Sequence, residues 1–200
     1  MLDNATARQA VSKIVDPLAA SMIRMRITAD AVTSVAALAT ILVAMYFVPK
    51  GQFLTASLLI GLLSLGDLLD GTIARLSNTA SKWGAFLDST LDRVVDASVL
   101  ISIAVYFYRS SENSQVLMAT STALVMGQMT SYIRARAESL GTSCKVGLAE
   151  RAERTFLVWI SLLLSGLGVD CLDPAMYLLA AITTFTVGQR ILHVRKQLLT

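Results

Sequence analysis

The sequence predicts an all-α integral membrane protein, with six transmembrane helices preceded by an N-terminal amphipathic surface helix. Three observations carry that expectation. Hydrophobic side chains make up 54% of the 200 residues against 16% charged ones, with a mean hydropathy of +0.63, whereas soluble chains carry about 25% charge. The apolar residues fall in blocks of about 17–25, the length that a hydrocarbon core of ~30 Å requires. Basic residues gather between alternate blocks. Three prolines and eleven glycines exclude a disordered or collagen-like chain, and two cysteines exclude a disulfide framework. The stretch from Met1 to Arg26 has no uninterrupted apolar core, so a cleaved signal peptide is not expected.

Taken in order, Ala5 to Met25 mixes Arg8, Lys13 and Arg24 with Ala, Val, Ile and Leu at helical spacing, the pattern of a helix lying on a membrane surface. The first span is expected from Asp30 to Val48, ahead of Pro49-Lys50-Gly51, and the second from Phe53 to Leu76. The third runs from Gly84 to Tyr108, polar in its first half and apolar from Ala97. The fourth covers Val116 to Glu138 and the fifth Ala152 to Val169. The last starts at Pro174, a favoured first-turn residue, and ends near Lys196. The longest connection, Ser139 to Arg151, leaves no room for a soluble domain. The chain therefore reads as a single membrane domain, with residues 1–27 as the juxtamembrane helix and 28–200 as the bundle.

Sidedness follows from charge. All seventeen Lys and Arg residues except Lys50 and Arg109 lie in the N-terminal segment, the second-to-third and fourth-to-fifth connections with their flanking helix ends, or the C-terminal end. The positive-inside rule then puts both termini and both polar loops in the cytoplasm, which six spans satisfy. Cys144 and Cys171 fall on opposite sides and cannot pair within one chain. Trp83, Trp159 and Tyr46 read as interface aromatics.

Five of the fourteen acids, Asp67, Asp70, Asp88, Asp92 and Asp96, are concentrated on the facing ends of spans two and three. Asp67 and Asp70 are three apart and Asp88 and Asp92 four apart, so each pair shares a helix face. A short connection makes the two helices antiparallel neighbours. Four converging carboxylates call for a hard divalent counter-ion bound through oxygen, and two ions fit better than one. Gly71 and Gly84 remove side chains beside the acids, and Arg75 lies one turn beyond Asp70, where it can neutralise a phosphate. Carboxylates, metal and arginine together describe phosphoryl transfer. A cation transporter would also use such acids, but it predicts acids in both membrane halves and paired repeats. Apart from the loop acids Glu112, Asp170 and Asp173 the outer half has none, and no repeat is visible.

Asp67-Leu-Leu-Asp70-Gly71-Thr-Ile-Ala74-Arg75, eight residues, then Gly84-Ala-Phe-Leu-Asp88-Ser-Thr-Leu-Asp92 matches D-x2-D-G-x2-A-R-x8-G-x3-D-x3-D at all eight fixed positions over 26 residues. In this the chain resembles the CDP-alcohol phosphatidyltransferase family. The resemblance implies a multi-pass cell-membrane enzyme of phospholipid biosynthesis, with its site on the cytoplasmic side and a homodimeric assembly, taking CDP-diacylglycerol as donor. It implies Asp67, Asp70, Asp88 and Asp92 as metal ligands, for two Mg2+ ions with Mn2+ as an alternative, and Asp92 as the general base. It implies Ala29, Asp30, Ala31, Val32, Gly71, Ala74, Arg75, Ser81 and Gly84 around the CDP moiety. Members of the family often carry Thr-Pro-Asp ahead of the first span, where this chain has Thr28-Ala29-Asp30. Asp96 lies outside the signature, roughly 12 Å deeper than Asp88 by helical rise, and is expected to pair with Arg93 or with groups behind the site.

The acceptor is read from arginines. Ser131-Tyr-Ile-Arg134-Ala-Arg136-Ala-Glu138, Glu150-Arg151-Ala-Glu153-Arg154 and Gln189-Arg190 put a density of guanidinium on the cytoplasmic side that suits a phosphorylated alcohol better than a neutral one. These runs resemble the actinobacterial phosphatidylinositol phosphate synthases within the family. That resemblance implies inositol phosphate as acceptor, contacted by Ser131, Arg134, Arg151 and Arg190, with Arg136 and Arg154 open as further contacts. Glycerol phosphate is the alternative acceptor. Membrane lipids are expected partners and nucleic acid is not.

Overall fold

The computed structural model describes the backbone of residues 5–77, 79, 81–110 and 114–199 and the side chains among them except those of 5–14, 67 and 68. Among the described residues the chain forms eight α-helices and no strand: α1 Ala5–Arg24, α2 Ala29–Phe47, α3 Phe53–Leu63, α4 Gly66–Leu76, α5 Lys82–Ser110, α6 Ser114–Ser139, α7 Arg151–Gly166 and α8 Leu172–Leu199. Arg8, Lys13 and Asp67, each singled out from the sequence, have side chains outside the described residues.

The chain divides into two compact units. The first comprises the chain up to Leu42 with Leu59–Val95, and the second Val43–Leu58 with Asp96 onward. In the first, α1 packs on α4. The end of α1 is closed by Arg26, which takes φ 59° while Arg26 N–H donates to Ile23 O at 2.9 Å and Ile27 N–H to Met22 O at 3.0 Å. Those two bonds are the paired closure of a helix that ends on a left-handed residue. Two residues later Thr28 Oγ1 accepts the Ala31 N–H at 3.2 Å and caps α2. Ala29 thus occupies the first helical position, where proline is also favoured. Without that ring, the threonine cap sets where the helix starts.

The expected second span is not one helix. It breaks between α3 and α4, at Ser64 and Leu65. Leu65 N–H bonds to Leu62 O at 3.2 Å, three residues back rather than four, and Ser64 Oγ donates to Gly61 O at 2.7 Å. A tightened turn and a side chain competing for a helix carbonyl are what interrupt a helix here. The break lies just ahead of Asp67, so the acidic pair is carried by a separate short helix.

In the second unit α6 and α7 pack on α8. The α8 face is a stripe of Met176, Leu179, Thr183, Thr186 and Arg190, alternating steps of three and four, and α6 answers with Ala119, Thr120, Ala123 and Thr130. The threonines return their hydroxyls to carbonyls of their own helix, Thr120 to Val116 O at 2.8 Å and Thr183 to Leu179 O at 2.7 Å. Small residues and self-satisfied hydroxyls allow close packing where no water is available. Outward faces are apolar instead: Val35, Leu38 and Leu42 on α2 and Leu178, Phe185 and Leu192 on α8 are each more than half exposed. Apolar residues facing out and polar ones facing in is the arrangement a bilayer favours.

On length and composition, two helical stretches among the described residues are long and apolar enough to cross a bilayer, Ala29–Lys50 and Leu172–Leu199. The remaining expected spans fall short for local reasons. α3 stops at Leu63, α5 carries Asp88, Asp92, Arg93 and Asp96, α6 mixes Ser, Thr and Gln among its apolar residues, and α7 has 16 residues. Trp159 donates its indole N–H to Ser57 O at 2.9 Å within the second unit.

Gly166 at the end of α7 packs against α3: a Cβ there would overlap the backbone nitrogen of Leu54. Gly166→Ala is expected to push α7 off α3 and cost about 1–3 kcal/mol, read as a lowered melting temperature of the detergent-solubilised protein.

Candidate functional site

The donor-side residues all lie in the first unit. α2 begins at the Thr28 cap, which places Ala29, Asp30, Ala31 and Val32 on its first turn. α5 begins at Ser81, whose Oγ accepts the Gly84 N–H at 2.9 Å. These two helix starts meet: a Cβ on Gly84 would stand 3.2 Å from Asp30 Oδ1 and 3.4 Å from Ser81 Oγ. Any side chain at 84 would crowd the carboxylate, so the glycine of the signature has a direct steric reason. Gly71, by contrast, faces open space on the exposed side of α4.

Asp70 is tied to α2. Thr33 Oγ1 donates to its Oδ2 at 2.6 Å, a short charge-assisted bond that fixes the carboxylate. Thr33 sits one turn after Ala29, to whose carbonyl it also lies at 3.0 Å. Asp88 lies within electrostatic range of Asp70, and neither acid makes an ion pair among the described residues. Asp92, one turn along α5, has Arg93 Nη1 at 3.9 Å from its Oδ2. Arg75 is exposed at the end of α4, with Thr72 Oγ1 at 3.5 Å from its Nη2. Ala74 is half-buried beside it.

Among the described residues no three His, Cys, Asp or Glu side chains come together as a cation cage. Asp67, the fourth acid of the set, lies outside them. The described donors do fit a hard divalent ion in kind. They are carboxylate oxygens on two helices, one of them oriented by a hydroxyl, and among the described residues Asp70 and Asp88 make no ion pair that would already balance their charge. Flanking Ala31 and Val32 is an apolar cleft of about 690 Å³ walled by Leu18 and Met22 of α1 and Leu62 and Leu69.

The acceptor-side residues all lie in the second unit, and the structure sorts them into three settings. Arg190 is 3% exposed; its Nε donates to Val146 O at 2.8 Å and its Nη1 to Thr130 O. Arg154, also buried, donates from Nη1 to Thr130 Oγ1 at 2.9 Å and to Ala149 O at 3.2 Å. Two guanidiniums thus converge on Thr130, next to Ser131, and hold the 140–150 loop by its backbone. Gly147 belongs to the same clasp: its φ is 138°, and a Cβ would lie 2.6 Å from Thr186 Cγ2 and 3.4 Å from Arg190 Nε. Arg151 is held differently, by a two-point contact from Nε and Nη2 to Asp96 at 3.2 and 3.4 Å. Arg134 is more exposed and pairs with Glu138 one turn on at 3.0 Å.

Asp96, for which the sequence offered Arg93 or groups behind the site, accepts from Arg151 of another helix. Thr33, Thr130 and Gly147 were not singled out as site residues. Thr33 had a local signal, as a hydroxyl one turn inside the capped end of an apolar helix. Thr130 and Gly147 had none.

A family model described as CDP-alcohol phosphatidyltransferase matches residues 26–187. The chain is 37% identical over 191 residues to the phosphatidylinositol phosphate synthase of Corynebacterium glutamicum, covering 94% of this chain and 87% of that one. Two crystal structures of the Mycobacterium tuberculosis phosphatidylinositol phosphate synthase superpose closely, each at 31% identity. The one with CDP-DAG bound gives a TM-score of 0.87 over 91% of this chain and 94% of that chain. The one in complex with manganese and citrate gives 0.86 over 90% and 88%. With the signature complete and the likeness running nearly the length of both proteins, the chain belongs to the CDP-alcohol phosphatidyltransferase family of membrane enzymes.

Proposed function

We propose that this enzyme transfers the phosphatidyl group of CDP-diacylglycerol to a hydroxyl of inositol phosphate, giving phosphatidylinositol phosphate and CMP. The observation that carries the reading is the eight-position signature on α4 and α5, in a chain similar over nearly its whole length to phosphatidylinositol phosphate synthases. The chain acts as one domain, with α1 on the membrane surface and six spans beyond it, α3 and α4 together forming the second. Both termini and the polar site face the cytoplasm of a multi-pass cell-membrane protein that works as a homodimer.

Asp67, Asp70, Asp88 and Asp92 hold two divalent ions, Mg2+ with Mn2+ able to replace it. When bound, those ions neutralise the diphosphate and the charge that builds on the leaving CMP. Thr33 orients Asp70, and Arg75 offsets charge on the nucleotide phosphates. The first turn of α2, Ala29 to Val32, with Gly71, Ala74, Ser81 and Gly84, frames the CDP moiety, and the apolar cleft beside Ala31 takes an acyl chain entering sideways from the bilayer. Asp92 accepts the proton of the inositol hydroxyl as it attacks the phosphorus that carries diacylglycerol. Ser131, Arg134, Arg151 and Arg190 gather the acceptor, with Asp96 aiming Arg151.

The test is CMP release by the purified protein with magnesium and CDP-diacylglycerol, run in parallel with inositol phosphate, free inositol and glycerol phosphate. Turnover with inositol phosphate alone is the expected result; turnover with glycerol phosphate instead overturns the acceptor. Thr33→Val removes the hydroxyl that orients Asp70 and keeps the side-chain volume. It is expected to raise the magnesium concentration for half-maximal CMP release about tenfold, as loss of a group behind a metal ligand does.

A further inference from the structure

The ends of α6 and α8 carry a groove in the second unit that none of Ser131, Arg134, Arg151 and Arg190 lines. A stripe from each side walls it: Ile133 and Arg136 of α6 with Leu140 just past its end, and Ile191, Val194 and Arg195 of α8. The steps of three and four along each helix put both arginines on the same faces as the apolar residues. The groove holds about 490 Å³ and no acidic residue lines it. Leu140 and Ile191 are each about half exposed. Arg195 makes no ion pair among the described residues, and Arg136 has only Ser139 Oγ at 3.4 Å from Nη1, at the limit of a hydrogen bond. Below the groove the end of α8 is clasped to the loop after α6. There Gln197 Nε2 donates to Ser143 O at 2.7 Å and Ser143 N–H returns to Gln197 Oε1 at 3.1 Å.

We propose that this groove is a binding site for an anionic phospholipid of the surrounding bilayer, its phosphate between Arg136 and Arg195 and an acyl chain along Ile133, Ile191 and Val194. Charge complementarity selects that occupant. A zwitterionic lipid would use the apolar wall but bring its own cation to two guanidiniums. A second copy packed symmetrically on this face would bring four guanidiniums together with no acid among the lining residues. The volume suits a chain of methylenes and not a helix, whose diameter is about 10 Å. Basic pockets between transmembrane helices at a headgroup level bind anionic lipids in this way. Arg134 precedes Arg136 by two residues and Arg190 precedes Ile191, so an occupant that ties α6 to α8 steadies the helix ends that carry both.

The experiment is native mass spectrometry of the full chain in neutral detergent, exchanged with equal phosphatidylglycerol and phosphatidylcholine of matched acyl chains, with saturating CDP-diacylglycerol present. Wild type is expected to retain phosphatidylglycerol in preference. Arg136→Gln with Arg195→Gln is expected to weaken that retention about thirtyfold, the combined effect of two arginines at a membrane surface. Should that pair of changes prevent folding, Val194→Trp blocks the groove with both arginines in place and is expected to abolish retention. Equal retention of the two lipids, phosphatidylglycerol binding that survives the double substitution, or complete displacement by CDP-diacylglycerol each overturns the proposal. So does a disulfide-linked dimer of an Ile191→Cys variant, which would assign the face to a second copy.

Discussion

Asp92→Asn is expected to lower CMP release by about two to four orders of magnitude, the usual worth of a positioned general base. The change is nearly isosteric and keeps an acceptor oxygen, so the helix and its packing are left intact. What it removes is the capacity to take a proton from the attacking hydroxyl, together with one negative charge of the metal-ligand set, and saturating magnesium separates the two losses. Its side chain is 20% exposed on α5, one turn past Asp88 and beside Arg93, so it is neither sealed in a core nor fully in solvent. Binding of CDP-diacylglycerol, followed as the melting-temperature increase it produces, should survive in the variant. Asp88→Asn gives the contrast: a lost metal ligand shifts the magnesium dependence, whereas a lost base lowers the rate at saturating magnesium. A variant of Asp92 that recovers full rate at high magnesium would leave this residue as a ligand only, and would move the base elsewhere in the site.

The donor half of the candidate site can be proposed from the sequence because its residues are written locally. The acids, glycines and Arg75 fall within 26 residues on two adjoining helices, and spacings of three and four define shared faces without tertiary information. The helices were legible for a similar reason, as apolar runs bounded by polar residues: α6 starts at Ser114 against an expected Val116, and α5 at Lys82 against Gly84. The break between α3 and α4 left no such trace. Leu-Ser-Leu-Gly is compatible with a helix, and it is interrupted by a switch of hydrogen-bond acceptor at Leu65 and by the Ser64 hydroxyl turned onto Gly61 O. The Thr33–Asp70 bond joins residues 37 apart, and the Asp96–Arg151 pair 55 apart, so neither could be read from periodicity. For the arginines the sequence conveyed number and side but not setting. Arg134 and Arg190 look alike in a helical wheel, yet one pairs with Glu138 near the surface and the other is buried against two carbonyls.

That difference in setting leads to opposite expectations for the same substitution. Arg190→Lys replaces a planar fork that reaches Val146 O and Thr130 O at once with a single ammonium that can serve one of them. One charge-assisted bond is lost in a site that is 3% exposed, at a cost of roughly 1.5–3 kcal/mol. For a chain of this size the melting temperature should fall by about 3–12 °C. The 140–150 loop is released with it, because Gly147 packs directly against Thr186 and the Arg190 Nε. KM for inositol phosphate should therefore rise together with the loss of stability. Arg134→Lys removes a 41% exposed partner of Glu138, an exposed pair worth about 0–1 kcal/mol, and should leave the melting temperature unchanged. If Arg134 contacts the acceptor phosphate, its lysine variant raises KM on its own. Melting temperature and KM measured side by side on the two variants thus separate an arginine that builds the pocket from one that only meets the substrate. A rise in KM for Arg190→Lys with no change in melting would show that the carbonyl contacts are dispensable and that the guanidinium acts on the acceptor alone.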